Sequence, residues 1–244
     1  MKKDITEHNR LQVEYFEKNY KARMEPRDSP YVRRQVGMAM AYSGLRPPLR
    51  LLEVGCGMGR YTFTLAKLGF EVEGLDLTPK LLERFRSFEG GPSRIPLHCG
   101  DIASPAPELR GRFDALIGFF VLHHMHDLRA CFRGMSSVLR PGGTLLFIEP
   151  NPYNPLYYLQ IAITPGMTWE GDKGILDMRK KLLFGAMHEA GLEAPDCRRF
   201  GFLPPGLVNL PGGLACEGVL ERLTPPPLRP FQLFLAKKPR ALPA

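Results

Sequence analysis

Three groups of residues in this sequence have the types and spacing that chemistry requires, and the first is a row of glycines. Gly55, Gly57 and Gly59 directly follow the apolar run Leu51 to Val54. Glycine permits positive φ and lets a backbone approach a ligand without an intervening Cβ. A helical pattern begins at Arg60, and the amides at the start of a helix favour anionic groups. The row therefore predicts a nucleotide-binding loop.

The second group is acidic, and its members lie in or directly after short apolar runs. Glu53 stands inside such a run, where a carboxylate must be paired or meet a polar ligand. Asp76 follows the glycine loop by about twenty residues, where an acid can accept hydrogen bonds from both hydroxyls of a ribose. Asp101 follows the next run, which ends at Cys99. Asp76 and Asp101 also have a simpler interpretation as turn or helix-capping residues.

The third group consists of His123, His124 and His126, which follow the apolar run Ala115 to Phe120. Imidazole, with a reference pKa of about 6.5, suits proton transfer at neutral pH. His124 is the first candidate for a general base and His123 the second, although either could simply pack or bond a backbone carbonyl. Their spacing, with no cysteine or carboxylate at a diagnostic distance, predicts no metal site.

The elements that position these groups alternate between strands and helices, which is typical of a parallel sheet with crossover helices. Strands are predicted from the short apolar runs, and helices from the amphipathic stretches between them. The predicted strands are Leu51–Val54, Glu71–Leu75, Ile95–Cys99, Ala115–Phe120, Thr144–Ile148, Arg198–Phe202 and Phe231–Ala236. The predicted helices are Glu7–Arg23, Tyr31–Tyr42, Arg60–Leu68, Pro79–Phe88, Leu128–Leu139 and Asp177–Ala190.

The spacing of the glycines separates the possible nucleotide-binding loops. The dinucleotide fingerprint GxGxxG would need a glycine at Arg60, and no Lys-Ser or Lys-Thr pair follows for a P-loop. Instead, E-x-G-x-G-x-G over Glu53 to Gly59 resembles motif I of the class I S-adenosylmethionine-dependent methyltransferases. FDALIGFFVLHHM resembles their fourth strand and active-site loop, and VLRPGGTLLFIEPN resembles the fifth-strand signature of the methyltransferase type 11 group. The resemblance covers about Leu51 to Asn151.

The resemblance implies a Rossmann-like, doubly wound α/β fold with a mostly parallel seven-stranded sheet and helices on both faces. It also implies S-adenosyl-L-methionine as cofactor and S-adenosyl-L-homocysteine as product. Asp101 would then accept from the adenine amino group and Glu53 would lie near the methionine end. The predicted cofactor residues are Glu53, Gly55, Cys56, Gly57, Gly59, Asp76, Leu77, Asp101 and Ile102. To these we add Phe119, whose ring could face the sulfonium, and Tyr20, which could close over the cofactor from the N-terminal helix.

Segments outside the motif-bearing core are expected to select the methyl acceptor. We predict one structural domain, with an N-terminal helical lid at 1–48 and a core at 49–244 that carries insertions at 151–177 and 203–230. Aromatic residues in the lid and first insertion predict an apolar pocket, although they could be ordinary core. These residues are Tyr15, Phe16, Tyr20, Tyr153, Tyr157, Tyr158 and Trp169. The expected acceptor is a small apolar or aromatic molecule, methylated on oxygen, nitrogen or carbon.

Composition limits the partners and the cellular location. The 33 Lys and Arg exceed the 25 Asp and Glu by 8, but the basic residues are spread along the chain and predict a solvated surface. Five separated cysteines without a CxxC pair predict neither disulfides nor zinc. No apolar stretch approaches the ~18 residues of a membrane span, and the MKKDITEHNR start lacks the apolar region of a signal peptide. We expect a cytoplasmic protein.

Several alternatives stay open at this point. Nucleic-acid enzymes of the family that methylate amino groups usually carry N/D-P-P-Y/F/W after the fourth strand, where this chain has Gly118 to Val121. A nucleic-acid methyltransferase is therefore the first alternative. A non-catalytic S-adenosylmethionine-binding protein is the second. Similarity to the ubiquinone and menaquinone C-methyltransferases adds quinone or lipid precursors to the possible acceptors. The sequence leaves the oligomeric state open.

Overall fold

The computed structural model describes residues 5–18, 24–90, 94–163, 169 and 173–240. Within this part of the chain, seven strands form one sheet in the order β3-β2-β1-β4-β5-β7-β6. β7 is antiparallel to both of its neighbours, β5 and β6, and the other pairs of neighbouring strands are parallel. The strands are β1 (Arg50–Val54), β2 (Glu71–Asp76), β3 (Leu97–Cys99), β4 (Phe113–Phe119), β5 (Leu139–Pro150), β6 (Glu193–Phe200) and β7 (Phe231–Lys237). The predicted fold class is confirmed.

Helices cover both faces of the sheet. They are α1 (Ile5–Lys18), α2 (Pro30–Ser43), α3 (Thr62–Lys67), α4 (Pro79–Phe88), α5 (Leu128–Val138), α6 (Pro155–Ile163), α7 (Lys180–Glu189), α8 (Pro205–Val208) and α9 (Gly213–Leu223). Ser29 caps α2 by accepting from the Val32 amide, and Asp127 caps α5 by accepting from the Ala130 amide. None of the described helices has the length and apolar character needed to cross a membrane.

Successive strand residues point to opposite faces, so each strand contributes to two apolar layers. Leu51 joins one layer with Val36 of α2 and Leu65 of α3. Leu52 joins the other layer with Phe132 of α5 and Leu183 of α7. Because both faces are covered, the central strands β1 and β4 are apolar along most of their length, as expected for a parallel sheet. Since helices cover both faces, a binding site can form at the carboxyl ends of the strands.

The start of β5 differs from the sequence prediction. We predicted that the helix would continue to Leu139 and that Pro141-Gly142-Gly143 would separate it from a strand beginning at Thr144. Instead β5 begins at Leu139, which pairs with Phe113, and the register shifts before Thr144 pairs with Ala115. Gly142 has φ of 78°. The Pro-Gly-Gly segment is therefore an irregularity within a long strand.

Candidate functional site

A cavity of about 740 Å³ opens at the carboxyl ends of the parallel strands. Most of the predicted site residues line it. They are Gly55, Cys56, Gly57, Asp76, Leu77, Asp101, Ile102, Phe119, His123 and His124. Glu53 and Gly59 are not in its wall, and Tyr20 lies outside the described residues. Its volume lies within the range of small-molecule sites.

The three loop glycines meet three different surroundings, although all have positive φ. A Cβ on Gly55 would lie 2.3 Å from Cγ2 of Val121, and one on Gly59 would lie 2.5 Å from the ring of Phe63. These two glycines therefore allow close packing of the loop. A Cβ on Gly57 would have nothing within 4 Å. Gly57 thus leaves open the part of the loop that faces the cavity.

Asp76 holds the glycine loop in place from the end of β2. Its Oδ2 accepts from the Gly57 amide at 2.8 Å, and its Oδ1 accepts from the Thr78 amide at 2.8 Å. Burial raises the pKa of Asp76, whereas these backbone hydrogen bonds oppose the shift. Each carboxylate oxygen has two lone pairs. Asp76 can therefore bind the loop and still accept hydrogen bonds from a ligand in the cavity.

Asp101 lines the same cavity and contacts the N-terminal helix. Its Oδ1 accepts from the Ala103 amide at 2.8 Å, and its Oδ2 accepts from the side-chain amide of Asn9 at 2.7 Å. The Asn9 contact shows that a side-chain amide can reach this carboxylate. An exocyclic amino group would present the same kind of donor.

Glu53 is enclosed behind the glycine loop, with 1% of its surface exposed. Its Oε2 has no hydrogen-bond partner within the described part of the chain. Burial raises the pKa of Glu53 to about 8. A buried carboxyl group with an unused oxygen is costly to ionise unless a cation or donor approaches it. Its predicted place beside the methionine end of the cofactor stays a prediction.

The histidines follow β4 in a tight turn that a buried acid organises. Glu149, at the end of β5, accepts from the amides of Val121 and Leu122 with Oε1 at 2.8 and 2.7 Å. Its Oε2 lies 2.7 Å from Nδ1 of His123. Phe120, just before the turn, has φ of 56°. The turn, defined here as residues 121–126, is therefore fixed by side-chain as well as backbone contacts.

A group of rings, which we name the aromatic wall, covers the part of the cavity beyond the glycine loop. Tyr61 stacks on Phe119 with ring centroids 4.1 Å apart, and Phe120 contacts Phe231 at 5.5 Å. Tyr31 contacts Phe231 at 6.2 Å. Burial raises the pKa of Tyr61 to about 12, so this phenol stays neutral. The wall consists of Tyr31, Tyr61, Phe119, Phe120 and Phe231.

Only some of the predicted pocket aromatics reach the cavity. Tyr15, Phe16 and Tyr157 line it. Tyr153 and Trp169 are about half exposed, at 53% and 48%, and they do not line it. The Tyr158 hydroxyl donates to the Pro152 carbonyl, and its ring lies 6.4 Å from that of Trp169. The expectation for Tyr153, Tyr158 and Trp169 is therefore wrong for their position in this structure, because the insertion forms its own local contacts.

Sequence reasoning missed Glu149 and most of the aromatic wall. Glu149 lies inside the apolar run TLLFIEP, which is the same signal that singled out Glu53. That signal could have found Glu149. Tyr31, Tyr61 and Phe231 come from three distant segments, so no local spacing brings them together. Among the described residues, no cluster of three His, Cys, Asp or Glu side chains has a geometry for metal binding.

Comparison with known proteins agrees with the geometry of the glycine loop and the strands around it. A family model described as a methyltransferase domain matches residues 52–147. The ubiquinone biosynthesis O-methyltransferase of Xanthomonas campestris pv. campestris is 37% identical over 107 residues, which cover 43% of this chain and 44% of that protein. The chain thus aligns with less than half the length of this curated relative.

Solved structures resemble the chain over a larger part of its length. A SAM-dependent methyltransferase of Thermotoga maritima, a possible histamine N-methyltransferase, has a TM-score of 0.60 at 17% identity and covers 85% of this chain and 91% of its own. Phosphoethanolamine N-methyltransferase 2 of Haemonchus contortus, solved in complex with S-adenosyl-L-methionine, has a TM-score of 0.60 at 14% identity and covers 85% and 52%. These likenesses establish the fold.

The cavity also has the features that S-adenosylmethionine requires. Open space over Gly57 lets a ligand approach the backbone, and the carboxylates of Asp76 and Asp101 stand at the ends of neighbouring strands. Ligands of open α/β sheets bind at this edge. With the motif order and the family model, these observations show that residues 52–147 form a methyltransferase domain, and the fold around it is that of the class I S-adenosylmethionine-dependent methyltransferases.

Proposed function

We propose that this chain transfers the methyl group of S-adenosylmethionine to a hydroxyl of a small acceptor with an apolar or aromatic body. One observation carries the proposal: a continuous cavity contains the glycine loop with its two aspartates, the histidine turn and the aromatic wall. Cofactor-binding groups, a base and an apolar surface thus share one cavity. This combination is what methyl transfer to such an acceptor needs.

Methyl transfer depends mainly on alignment. When bound, S-adenosylmethionine supplies the methyl group: its carbon–sulfur bond breaks as the acceptor's oxygen–carbon bond forms, leaving S-adenosylhomocysteine. The chain's task is to hold the acceptor oxygen about 3 to 3.5 Å from that carbon. A histidine of the turn takes the hydroxyl proton, because a neutral hydroxyl is a poor nucleophile. The aromatic wall excludes water and orients the acceptor.

Oxygen is favoured as the accepting atom on two grounds. The turn supplies imidazoles inside the cavity, and a hydroxyl acceptor needs a base more than an unprotonated amine does. The Xanthomonas relative is named a ubiquinone biosynthesis O-methyltransferase. Hydroxylated aromatic rings, including quinone precursors, are therefore the first acceptors to test.

A nucleic-acid acceptor is less well supported by the polar groups near the site. The nearest sequence to the amino-methylating motif is Asn151-Pro152-Tyr153. The Asn151 side-chain amide donates to the carbonyls of Pro227 and Arg229, and its oxygen accepts from the Tyr153 amide. Asn151 is fully buried and outside the cavity wall. Its contacts are those of a residue that joins two loops.

The test is direct incubation of the purified chain with S-adenosylmethionine and a panel of acceptors. The panel contains matched phenols, anilines and alkyl alcohols, together with RNA and DNA. We expect release of S-adenosylhomocysteine and a product heavier by one methylene with the phenols, measured by mass spectrometry. Cofactor binding without transfer to any acceptor would support the non-catalytic alternative. Methylation of RNA or DNA in preference to the small molecules would support the nucleic-acid alternative.

A further inference from the structure

Glu149 is a buried carboxylate whose position the proposed reaction does not by itself explain. Its side chain is 0% exposed, and that of His123 is 4% exposed. One oxygen accepts from two backbone amides of the histidine turn, and the other lies 2.7 Å from Nδ1 of His123. One carboxylate therefore fixes both the backbone of the turn and the orientation of an imidazole.

The contact determines which nitrogen of His123 can act as a base. An ionised carboxylate can only accept, so Nδ1 of His123 carries the proton that is shared with Glu149. Nε2 is then the nitrogen with a lone pair. His123 is part of the cavity wall, where an acceptor hydroxyl would lie. A carboxylate behind an imidazole also stabilises the cation that forms when Nε2 takes a proton.

His124, the first candidate from the sequence, has contacts of another kind. Its ring packs edge-on against Phe16 of α1 at 5.1 Å, and its carbonyl oxygen lies 3.0 Å from Nε2 of His8. These contacts join the turn to α1. The contact of Glu149 is with Nδ1 of His123.

Building on the proposed function, we propose that His123 is the catalytic base, acting through Nε2, and that Glu149 is the residue that positions it and sets its tautomer. In the transfer step, the acceptor O–H bond breaks and its proton moves to Nε2 as the oxygen–methyl bond forms. Glu149 keeps its charge and holds the resulting imidazolium. His124 serves the packing of α1.

The decisive variant is Glu149→Gln. The amide oxygen can still accept from the Val121 and Leu122 amides, while the amide nitrogen donates to Nδ1 of His123. The imidazole proton must then move to Nε2, which leaves no base towards the cavity. We expect kcat to fall by about 100-fold or more, the scale of general-base catalysis. We expect KM and the Kd for S-adenosylhomocysteine to change by less than about threefold.

Two further measurements separate positioning from general loss of structure. Nitrogen-resolved NMR of the His123 imidazole should show a change from the Nδ1–H to the Nε2–H tautomer in Glu149→Gln. This readout needs no turnover, so it tests the inference even if the methyl-transfer proposal fails. The double variant with His123→Ala should be no slower than His123→Ala alone, because the two residues act as a unit.

The matched control is Glu73→Gln. Glu73 lies 2.7 Å from Nε2 of His98, a similar pair that is outside the cavity wall. This variant should leave kcat unchanged. An unchanged His123 tautomer in Glu149→Gln overturns the inference, and so does a kcat of that variant within about threefold of wild type. A fall in kcat that is larger in His124→Ala than in His123→Ala also overturns it.

A second, independent observation concerns Arg60 and the charge of the acceptor. Its guanidinium lies 5.7 Å from the ring centre of Tyr31 and 5.5 Å from that of Tyr61. It is the only Lys or Arg among the described residues of the cavity wall, and no described carboxylate forms an ion pair with it. The cation–π contacts hold the group against the aromatic wall. A cation in a largely apolar cavity gains most from an anionic ligand.

We infer that the acceptor carries a carboxylate or another anionic group that pairs with Arg60. The acidic residues of the cavity wall already have partners: Asp76 and Asp101 accept from the amides described above, and Asp127 caps α5. This inference rests on the proposed function, because it assigns the aromatic wall to the acceptor. It narrows the acceptor class to anionic molecules with an apolar or aromatic body.

The test compares 4-hydroxybenzoate with its neutral amide by calorimetry, in the presence of S-adenosylhomocysteine. Wild type should bind the carboxylate at least about tenfold more tightly, and Arg60→Gln should remove this preference without changing S-adenosylhomocysteine affinity. Arg198→Gln, an exposed control outside the wall, should keep the preference. Equal affinity of wild type for both probes overturns the inference, as does a fall in S-adenosylhomocysteine affinity, which would assign Arg60 to the cofactor. If wild type does not bind S-adenosylhomocysteine at all, the proposed function itself is contradicted.

Discussion

At the scale of single residues, the glycine loop shows that one motif can contain positions with different physical roles. Val121 fills the space that a side chain at Gly55 would need, and Phe63 and Phe85 do the same at Gly59. Only Gly57 combines a positive φ with open space and a place in the cavity wall. The three substitutions to alanine should therefore fail for different reasons.

Gly57→Ala should reduce cofactor affinity much more than it reduces stability. The positive φ of 52° disfavours alanine by about 1 kcal/mol, and the new Cβ would occupy space over the loop. We expect the Kd for S-adenosylhomocysteine, measured by calorimetry, to rise by about tenfold or more. Gly111→Ala is the control, because Gly111 has φ of 65°, nothing within 4 Å and no place in the cavity wall. Equal Kd values for the two variants would show that backbone strain alone explains the effect.

At the scale of elements, the cofactor half was the most predictable part of the chain. β1, β2 and β4 were predicted to within two residues, because each is a short apolar run bounded by turn residues and buried on both faces. β5 was less predictable, since an irregularity around Gly142 interrupts its pattern. The aromatic wall was not predictable, because tertiary structure alone brings Tyr31 and Phe231 together.

Helix α1 lines the cavity and contacts the histidine turn. Asn9 bonds Asp101, Phe16 packs on His124, and the ring of His8 stacks on that of His126 at 4.8 Å. One helix thus contacts both Asp101 and the histidine turn. The predicted lid role of residues 1–48 stays a prediction, and these contacts define how to test it.

Replacing both His8 and Phe16 by alanine should loosen the histidine turn. The double variant removes the ring contacts and the hydrogen bond to the His124 carbonyl, so the turn opens more often. We expect amide hydrogen exchange within residues 121–126 to become several-fold faster, measured by mass spectrometry. Arg10→Ala is the control, since its ion pair with Glu14 is exposed on α1. Unchanged exchange in the double variant would argue against a lid that acts on the turn.

At the scale of the whole molecule, buried acids make stability depend on pH. Burial raises the pKa of Glu53 from 4.5 to about 8, so the folded chain holds a proton that the unfolded chain has released across this window. The free energy of unfolding therefore falls as pH rises from about 4.5 to 8. The stabilisation from the protonated Glu53 is fully present below pH 4.5, the pKa of the group in the unfolded chain. Asp76 shifts in the same direction for the same reason.

Glu53→Gln should remove part of this dependence. The amide stays neutral, so the variant should gain stability relative to wild type between about pH 5 and pH 8, by on the order of a few kcal/mol. Urea unfolding of both proteins at each pH measures the difference in their free energies of unfolding. Glu71→Gln, an exposed acid with 65% of its side chain accessible, is the control and should follow wild type. Parallel curves for Glu53→Gln and wild type would show that the Glu53 carboxyl is ionised in the folded chain.

The position of β7 has a consequence for how the molecule is made. Although β7 follows β6 in the chain, it lies between β5 and β6 in the sheet. Among the described strands, β6 pairs with β7 alone. On the ribosome, β1 to β5 emerge first and can already assemble the glycine loop and the histidine turn. Residues 193–200 must wait for residues 231–237 before they find a neighbour. During synthesis, the cofactor half can thus fold while the far edge of the sheet is still unpaired.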